Sequence, residues 1–592
     1  MPSLKFAFRR LVKTPAYTAI TLLTVALGVG ANTAIFSIVH RVLLQPLPFP
    51  EPDRLVMLWE HVPDDTGVRH RWRPAAANYF DWKADARSFE SMGVFSSFGA
   101  SWRGDGEPEE LLGARVSASY FEVLGIEPLM GRAFLPEENE LGRRRVLLLS
   151  QGLWQRRFGS GDVLGETLSL DGEPFEIVGV MPEAVYPTWP QATGRMPFLP
   201  LYQQVWVPMA LSEERRQNRD SHVYGVIARL ARGSSIETAR AEMDTIARRL
   251  VAAHPENAEE GIVVVPYLEE VTGTARPALL VLWGAVALVL LIACANIASL
   301  QLARSAGRQR EVAVRTALGA GRRALLRQFL GESLLLAVMG GALGMGVARP
   351  GVDLLIRLSP EAVPRLASAS LSVPVLAFGL GTSILAGILF GLGPAIQSSR
   401  PDLQLRLKER QPRAGSRRFL VTAELALAVV LVIGASLLLQ SFARLHRLDL
   451  GFSAENVLVA EVNLPPSKYR EWRSITAFHR ELLDRLNGLP QVQSSGLTYD
   501  HPLDCNWIDG FALERNAQVD ESLDAALRIV SPDYFRTMGT DILRGRGFQE
   551  LDDVEHPGAV ILNRAFVRRY FDSDDVLGKR IVATTPSNFW GE

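Results

Sequence analysis

The chain has 592 residues, 47% of them hydrophobic and 21% charged, with a formal net charge of −1 at pH 7 and two cysteines, Cys294 and Cys505. The near-zero charge removes any global electrostatic case for nucleic-acid binding, and two cysteines give no disulfide framework for a small secreted fold. So long a chain reads as several domains.

From the N terminus, a basic segment (residues 1–15, with Lys5, Arg9, Arg10 and Lys13) precedes an apolar run from Ala16 to Val39. Four more runs follow: Ala278 to Ala303, Phe329 to Ala348, Leu371 to Gln397 and Phe419 to Ala443. Each holds about 20 to 27 residues, enough at about 1.5 Å per residue to cross a hydrocarbon core about 30 Å thick. The first exceeds the about 7 to 15 apolar residues of a cleaved secretory signal, so it too reads as a span. For the glycine-rich third and fourth runs, a buried soluble helix is the competing reading.

Basic residues set the orientation. Arg304, Arg308, Arg310, Arg315, Arg322, Arg323 and Arg327 crowd the loop 304–328, and Arg406, Lys408, Arg410, Arg413, Arg417 and Arg418 fill the linker 401–418. With the N-terminal segment, these belong on the cytoplasmic side, which puts residues 45–275 and 445–592 outside. Two spans contain a carboxylate, Glu332 and Glu424. In the fifth run roughly fourteen strongly apolar side chains, at about −0.4 kcal/mol each, outweigh the about +3 kcal/mol of Glu424, so the segment inserts. Both acids lie near the cytoplasmic ends of their spans, where a structural role competes with a proton relay.

The first outside region reads as mixed α and β. Leu55 to Trp59 and Val146 to Leu149 predict strands, and Tyr79 to Phe89 a helix. Tyr224 to Leu230, Ile236 to Ala253 and Ile262 to Val265 predict a strand, helix, strand unit, capped by Gly233-Ser234-Ser235. Its helix has an apolar stripe of Ala239, Met243, Ile246, Ala247 and Leu250. The basic and aromatic stretch Arg69-His70-Arg71-Trp72-Arg73, with Tyr79, Phe80 and Trp82, suits anionic headgroups or a protein partner, against a solvated loop beside a core helix.

In the loop 304–328, residues up to Leu318 predict a short amphipathic helix with Glu311 and Arg315 at i and i+4, broken by Gly319 to Gly321. A stub with a glycine turn directly before a span suits the transfer of force from a cytoplasmic partner. The competing reading is a plain positive-inside loop. Gly340, Gly344, Gly387 and Gly391 have the small-residue spacing that lets spans approach closely.

The chain then repeats itself. Tyr120, Phe121, Gly125, Gly131, Arg132 and Phe134 recur as Tyr534, Phe535, Gly539, Gly545, Arg546 and Phe548, at a constant offset of about 414 residues. Leu147-Leu148-Leu149, Phe158 and Val163-Leu164-Gly165 recur, one residue deleted, as Val560-Ile561-Leu562, Phe571 and Val576-Leu577-Gly578. Each copy follows an apolar run, so a span with its outside domain reads as duplicated, and the second copy stops early, as a fragment would. Asp500, His501, Asp504, Cys505 and Asp509 include zinc-ligand types, but their spacing fits no standard site, and Pro502 and Gly510 mark a polar loop. No Gly-x-x-x-x-Gly-Lys-Ser/Thr, His-Glu-x-x-His or Gly-x-Ser-x-Gly occurs, so no catalytic residue and no metal site is assigned.

The loop from Arg308 to Arg323, with Asn296 before it and Gln328 to Ser333 after it, resembles the permease domain of the FtsX and MacB type of ABC transporter. The stretch from Tyr120-Phe121 to Phe134, and Val163-Leu164-Gly165, resemble the MacB-like periplasmic core. The double copy, with Arg9-Arg10-Leu11 and Pro46-Leu47-Pro48-Phe49, resembles the duplicated orphan permeases described from acidobacteria. The resemblance covers nearly the whole chain, departing from MacB in the missing fused ATPase and from the duplicated permeases in the missing final third. It implies a multi-pass α-helical membrane protein of the bacterial inner membrane, with two extracytoplasmic α+β domains of the MacB-like type. The implied function is a non-enzymatic permease subunit coupling ATP hydrolysis elsewhere to export or to mechanical work in the envelope, with an envelope scaffold or signalling protein as the alternative. ATP and Mg would sit on a separate cytoplasmic ABC ATPase, acting as a dimer and docking on Arg310, Glu311, Arg315, Gly319 and Arg322. This chain itself would bind no cofactor. A periplasmic adaptor, an outer-membrane channel and membrane lipid are the other implied partners.

Overall fold

The computed structural model describes residues 12, 14–63, 69–102, 104, 109–143, 145–182, 203–254, 261–273, 275–307, 322–358, 365–366, 369–398, 414–453, 455–465, 468–469, 471–499, 508–515, 518–519, 523–549, 551–552 and 556–583. Two compact units result, one of residues 1–47 and 268–447, the other of residues 48–267 and 448–592.

Among the described residues of the first unit, five helices are long and apolar enough to cross a membrane: Pro15–Leu44, Ala275–Gln301, Leu330–Leu358, Val373–Gly391 and Arg418–His446. Pro15 opens the first of them at a position where its missing N–H has no partner to lose. The third helix continues past Ala348 and through Pro350 to Leu358, beyond its apolar run. On the fifth, Leu437, Leu438 and Leu439 are 61–68% exposed. Lipid, with no hydrogen-bonding groups of its own, is the solvent such a helix suits.

The second unit is built on one large sheet. Its strands are β1 (Leu55–Pro63), β2 (Arg69–Trp72), β3 (Phe89–Trp102), β4 (Glu109–Val116), β5 (Met130–Gly131), β6 (Val146–Ser150), β7 (Thr167–Leu170), β8 (Glu173–Met181), β9 (Val205–Pro208), β10 (Gly225–Leu230) and β11 (Gly261–Pro266). They lie in the order β11-β1-β10-β3-β4-β9-β6-β8-β5, with β2 beside β1 and β7 beside β3 and β8. The pairs β4–β9 and β6–β8 are parallel. Accordingly β6 is buried along its whole length, as parallel strands covered on both faces are.

Helix Ile236–Ala253 forms where its spacing predicts: the Ser235 side chain accepts the Thr238 N–H, and all five stripe residues are buried. The expected helix from Tyr79 to Phe89 is corrected. The helix is Ala76–Asp85, Ala86 is extended, and Phe89 opens β3. The cause is Glu242, whose carboxylate accepts the backbone N–H groups of Arg87 (2.9 Å) and Ser88 (2.7 Å) and draws the chain out of helical hydrogen bonding. Two apolar clusters result. One packs Val56, Leu58, Val94 and Val226 against Tyr79, Trp82 and Met243; the other joins Leu111, Leu147, Leu149, Ile177 and Val205.

Residues 508–583 contribute β12 (Ile508–Arg515), β13 (Gln518–Val519), β14 (Leu523–Ala526) and β15 (Ile581–Ala583). Their pairing follows that of residues 89–170. Phe95 pairs Val116 and Trp102 pairs Leu170 in the first segment, while Thr498 pairs Val530 and Phe511 pairs Ala583 in the second. The turns agree as well. Arg132 binds Glu138 through both guanidinium nitrogens at 3.0 and 2.7 Å, and Arg546 binds Asp552 the same way at 2.6 and 2.7 Å. Each acid also accepts a backbone N–H three residues before it, from Leu135 or Gln549. Gly125, Gly131, Gly539 and Gly545 all have positive φ.

Candidate functional site

The first and third spans meet through small residues. A Cβ on Gly30 would lie 2.9 Å from the Gly344 carbonyl oxygen, and one on Gly344 would lie 2.7 Å from that of Ala26. Gly387 meets Ala337, and Gly391 meets Ser333, in the same way. The Asn32 amide, inside the first span, donates to Gly28 O (2.9 Å) and across to Val286 O on the second span (3.0 Å). Such a bond within the membrane is worth about 0.6 to 2 kcal/mol. The Ser37 hydroxyl donates to Ser370 O at 2.9 Å, and Ser383 donates to Ala337 O. The contacts at Gly344, Gly387 and Gly391 fall where the small-residue spacing expected close approach, whereas the Asn32, Ser37 and Ser383 bonds were not legible from the apolar pattern.

Beyond the end of the first span, Arg365 donates to Gln45 O (2.8 Å) and Pro46 O (2.9 Å), while Arg41 donates to the Gln45 side chain (2.9 Å). Burial, helped by the charge of Arg41, pulls the Arg365 guanidinium down to about 10. The second span's helix ends at Gly307 and the third begins at Arg322. Arg310, Glu311, Arg315 and Gly319 fall between these ends, outside the described residues, as does the Arg322 side chain. Glu332 is half-buried beside Ser333, whose hydroxyl bonds Gln301 of the second span (3.2 Å). Glu424 is half-buried on the fifth helix.

In the sheet, Glu60 on β1 is a carboxylate 1% exposed. Its Oε1 accepts from Ala75 N (3.1 Å) and Asn78 Nδ2 (2.7 Å), and its Oε2 lies 2.6 Å from His222 Nδ1. That nitrogen also faces Arg73 O at 3.1 Å, so with two acceptors before it Nδ1 carries the proton. Arg219 completes the network, donating to Asn78 Oδ1 (2.5 Å) and Asp81 Oδ2 (2.7 Å) and meeting His254 Nε2 (3.0 Å). These groups fasten the segment before β10 to two helices; the adjoining cavity, about 10 Å³ between Glu60, Trp82 and Ile262, is water-sized. Arg229 on β10 does a similar job, donating to Val123 O (2.8 Å) and Pro50 O (2.9 Å). Among the described residues no group of three His, Cys, Asp or Glu could hold a metal ion. Asp500, His501, Asp504 and Cys505 lie outside the described residues, and Asp509 falls in β12.

A family model described as the MacB-like periplasmic core domain matches residues 18–246, and one described as the FtsX-like permease C-terminal matches residues 283–403. The chain is a permease of the FtsX/MacB type. It is 26% identical over 295 residues to YvrN, an uncharacterized ABC transporter permease of Bacillus subtilis, across 48% of this chain and 67% of YvrN. To the macrolide export ATP-binding/permease protein MacB of Chromobacterium violaceum it is 24% identical over 285 residues, 48% of this permease but 41% of MacB. Among solved structures, the periplasmic region of MacB from Actinobacillus actinomycetemcomitans aligns with 38% of this chain and 92% of its own, at 13% identity and a TM-score of 0.27. The extracellular domain of YknZ, a noncanonic ABC-type transporter from Gram-positive bacteria, aligns with 35% of this chain and 99% of its own, at 15% identity and a TM-score of 0.25. The two family models and the apolar helices describe a multi-pass membrane permease with a MacB-like domain.

Proposed function

We propose that this permease subunit turns ATP hydrolysis on a separate cytoplasmic ABC ATPase into movement of its outside domains, for export or for mechanical work in the envelope. The observation that carries the reading is the succession, in one chain, of a MacB-like core (residues 18–246) and an FtsX-like helical segment (residues 283–403). The positive-inside count supports an orientation with the N terminus and residues 304–328 and 401–418 in the cytoplasm. Residues 445–592 are read as a second copy of the outside domain, supported by the repeated pairings and Arg–acid turns. The membrane is the bacterial inner membrane; an adaptor and an outer-membrane channel extend the pathway outward.

In this reading Arg310, Glu311, Arg315, Gly319 and Arg322 form the element that receives the ATPase dimer. ATP and Mg bind on that partner, and no step of hydrolysis falls to this chain. The double charge reversal E311K/R315E is expected to abolish co-purification of the ATPase in pull-downs; undiminished binding refutes the docking assignment. With the ATPase in proteoliposomes, substrate-stimulated hydrolysis accompanied by flux supports transport. Nucleotide-dependent partner binding without flux makes the chain a regulator instead.

A further inference from the structure

Both apolar clusters of the large sheet draw on β3, one through Met92 and Val94 and the other through Ala100, with Ser96 between those segments. Ser96 and Arg115 are cross-strand partners there, and the Arg115 guanidinium lies 4.8 Å from the centroid of the Phe98 ring. Helix Glu213–Gln217 adds Arg215, and Arg216, which sits 5.2 Å from the centroid of Phe80. Arg115 and Arg215 are both exposed, and neither is in an ion pair among the described residues. The neighbouring acids are engaged elsewhere. Asp171 accepts the Ser101 N–H at 2.9 Å, and Glu173 pairs with Arg145 at 3.0 Å.

The Arg115 guanidinium reaches water, yet the protein crowding around it and then the charge of Arg215 pull its pKa down, while Asp171 and Glu173 pull the other way. Tyr224, at the mouth of β10, is pushed up by burial and drawn back by both Arg215 and Arg115. The register gives the same grouping: Gly225 pairs Phe95 and Ser96 pairs Arg115, so Tyr224 and Arg115 lie on the strands either side of β3, while the Met209 N–H bonds Val116 O (2.9 Å) just before the helix that bears Arg215. A guanidinium stacked on a ring keeps its N–H fork in plane and available for bidentate recognition of a carboxylate or phosphate. An arriving anion would also relieve the repulsion between the two arginines.

We propose that Arg115, Arg215 and Tyr224 form a recognition site for a carboxylate or phosphate carried on an apolar body, which Phe98 and Phe80 flank. The site goes beyond the permease reading and requires no ATPase, so it stands or falls separately. Calorimetric titration of phenyl phosphate into the full chain, in phosphatidylcholine nanodiscs, gives saturable binding that weakens about tenfold or more in R115Q/R215Q and severalfold in Y224F. Benzyl alcohol, without the anion, gives no saturable heat. R248Q, on helix Ile236–Ala253, binds like the parent, and the thermal midpoint of R115Q/R215Q is unchanged because both side chains are exposed. Adding phosphatidylglycerol separates the two anion sources. Competition that depends on Arg115 and Arg215 assigns the site to lipid headgroups, and its absence assigns it to a soluble anion. Equal affinity in the parent and R115Q/R215Q, or no saturation, overturns the proposal.

Discussion

Residues 120–138 and 534–552 adopt one local design in two settings. Both have a short helix opened by a Tyr-Phe pair, a glycine of positive φ after it, and an arginine gripping an acid six residues on. In the first, Tyr120 is fully buried and β6 beyond it is sandwiched between β8 and β9. In the second, Tyr534 is 9% exposed, Val560 is 56% exposed, and residues 560–562 pair with no strand among the described residues. The turn chemistry is local and reproduces itself from a few side chains. A strand needs neighbours, and these come from elsewhere in the chain.

Gly131 breaks the comparison most sharply. A Cβ there would lie 2.2 Å from Val178 O at φ +76°, whereas one on Gly545 meets only the Leu577 side chain at 3.1 Å, at φ +84°. Gly131→Ala should cost about 3 kcal/mol or more, from clash plus strain. Gly545→Ala should cost only the strain, about 1 kcal/mol. Hydrogen exchange of residues 146–150 and 564–570 reads the two separately, and equal losses would mean that the second turn is as enclosed as the first.

A second pair should behave alike. Cβ atoms on Gly93 and Gly496 would each lie 2.8 Å from the Cα of the following Tyr120 or Tyr534, so both alanine variants are expected to lose about 2 kcal/mol locally. A twofold difference in that loss, measured by exchange of the tyrosine helices, would show that the local design does not transfer.

Third in size is the Arg–acid grip. Glu138 is 6% exposed, so Glu138→Gln should cost about 1 to 2 kcal/mol, discounted because Arg132 is 39% exposed. Asp552→Asn should cost less, because its arginine partner Arg546 is 54% exposed and salt screens the pair. Thermal unfolding of each variant in low and high salt measures both effects, and a larger cost at Asp552 would invert the comparison.

The smallest effect is in pH. The Arg546 hydrogen bond holds Asp552 at about 2, below its ordinary value. A depressed carboxylate stabilises the folded turn above its unfolded pKa, about 4, and that contribution disappears as pH falls through about 2. Proteolysis of the 545–552 turn should therefore accelerate between about pH 4 and 2, and Asp552→Asn should flatten the profile.

What could be read in advance follows the same division. The spacing of Ala239, Met243, Ile246, Ala247 and Leu250, and the Ser235 cap, are short-range signals, and they placed that helix. The recurrence of the Tyr-Phe, Gly and Arg-Phe positions was visible because identity at fixed offset needs no partner. Sheet order was not visible. That β10 lies between β1 and β3 and that β9 runs parallel to β4 depend on contacts far apart in sequence. Arg115, Arg229 and Glu60 escaped notice for that reason: an isolated charge on a strand acquires meaning only from its distant neighbours. The end of the helix at Asp85 was missed because the side chain that draws the chain away, Glu242, is on another helix.

Where Gly30 faces Gly344, the first and third membrane helices touch main chain to main chain, with no side-chain tooth in either at that level. There the backbones themselves form the contact surface, with weak Cα–H contacts in place of side-chain packing. Any residue larger than glycine on either surface would wedge the pair apart.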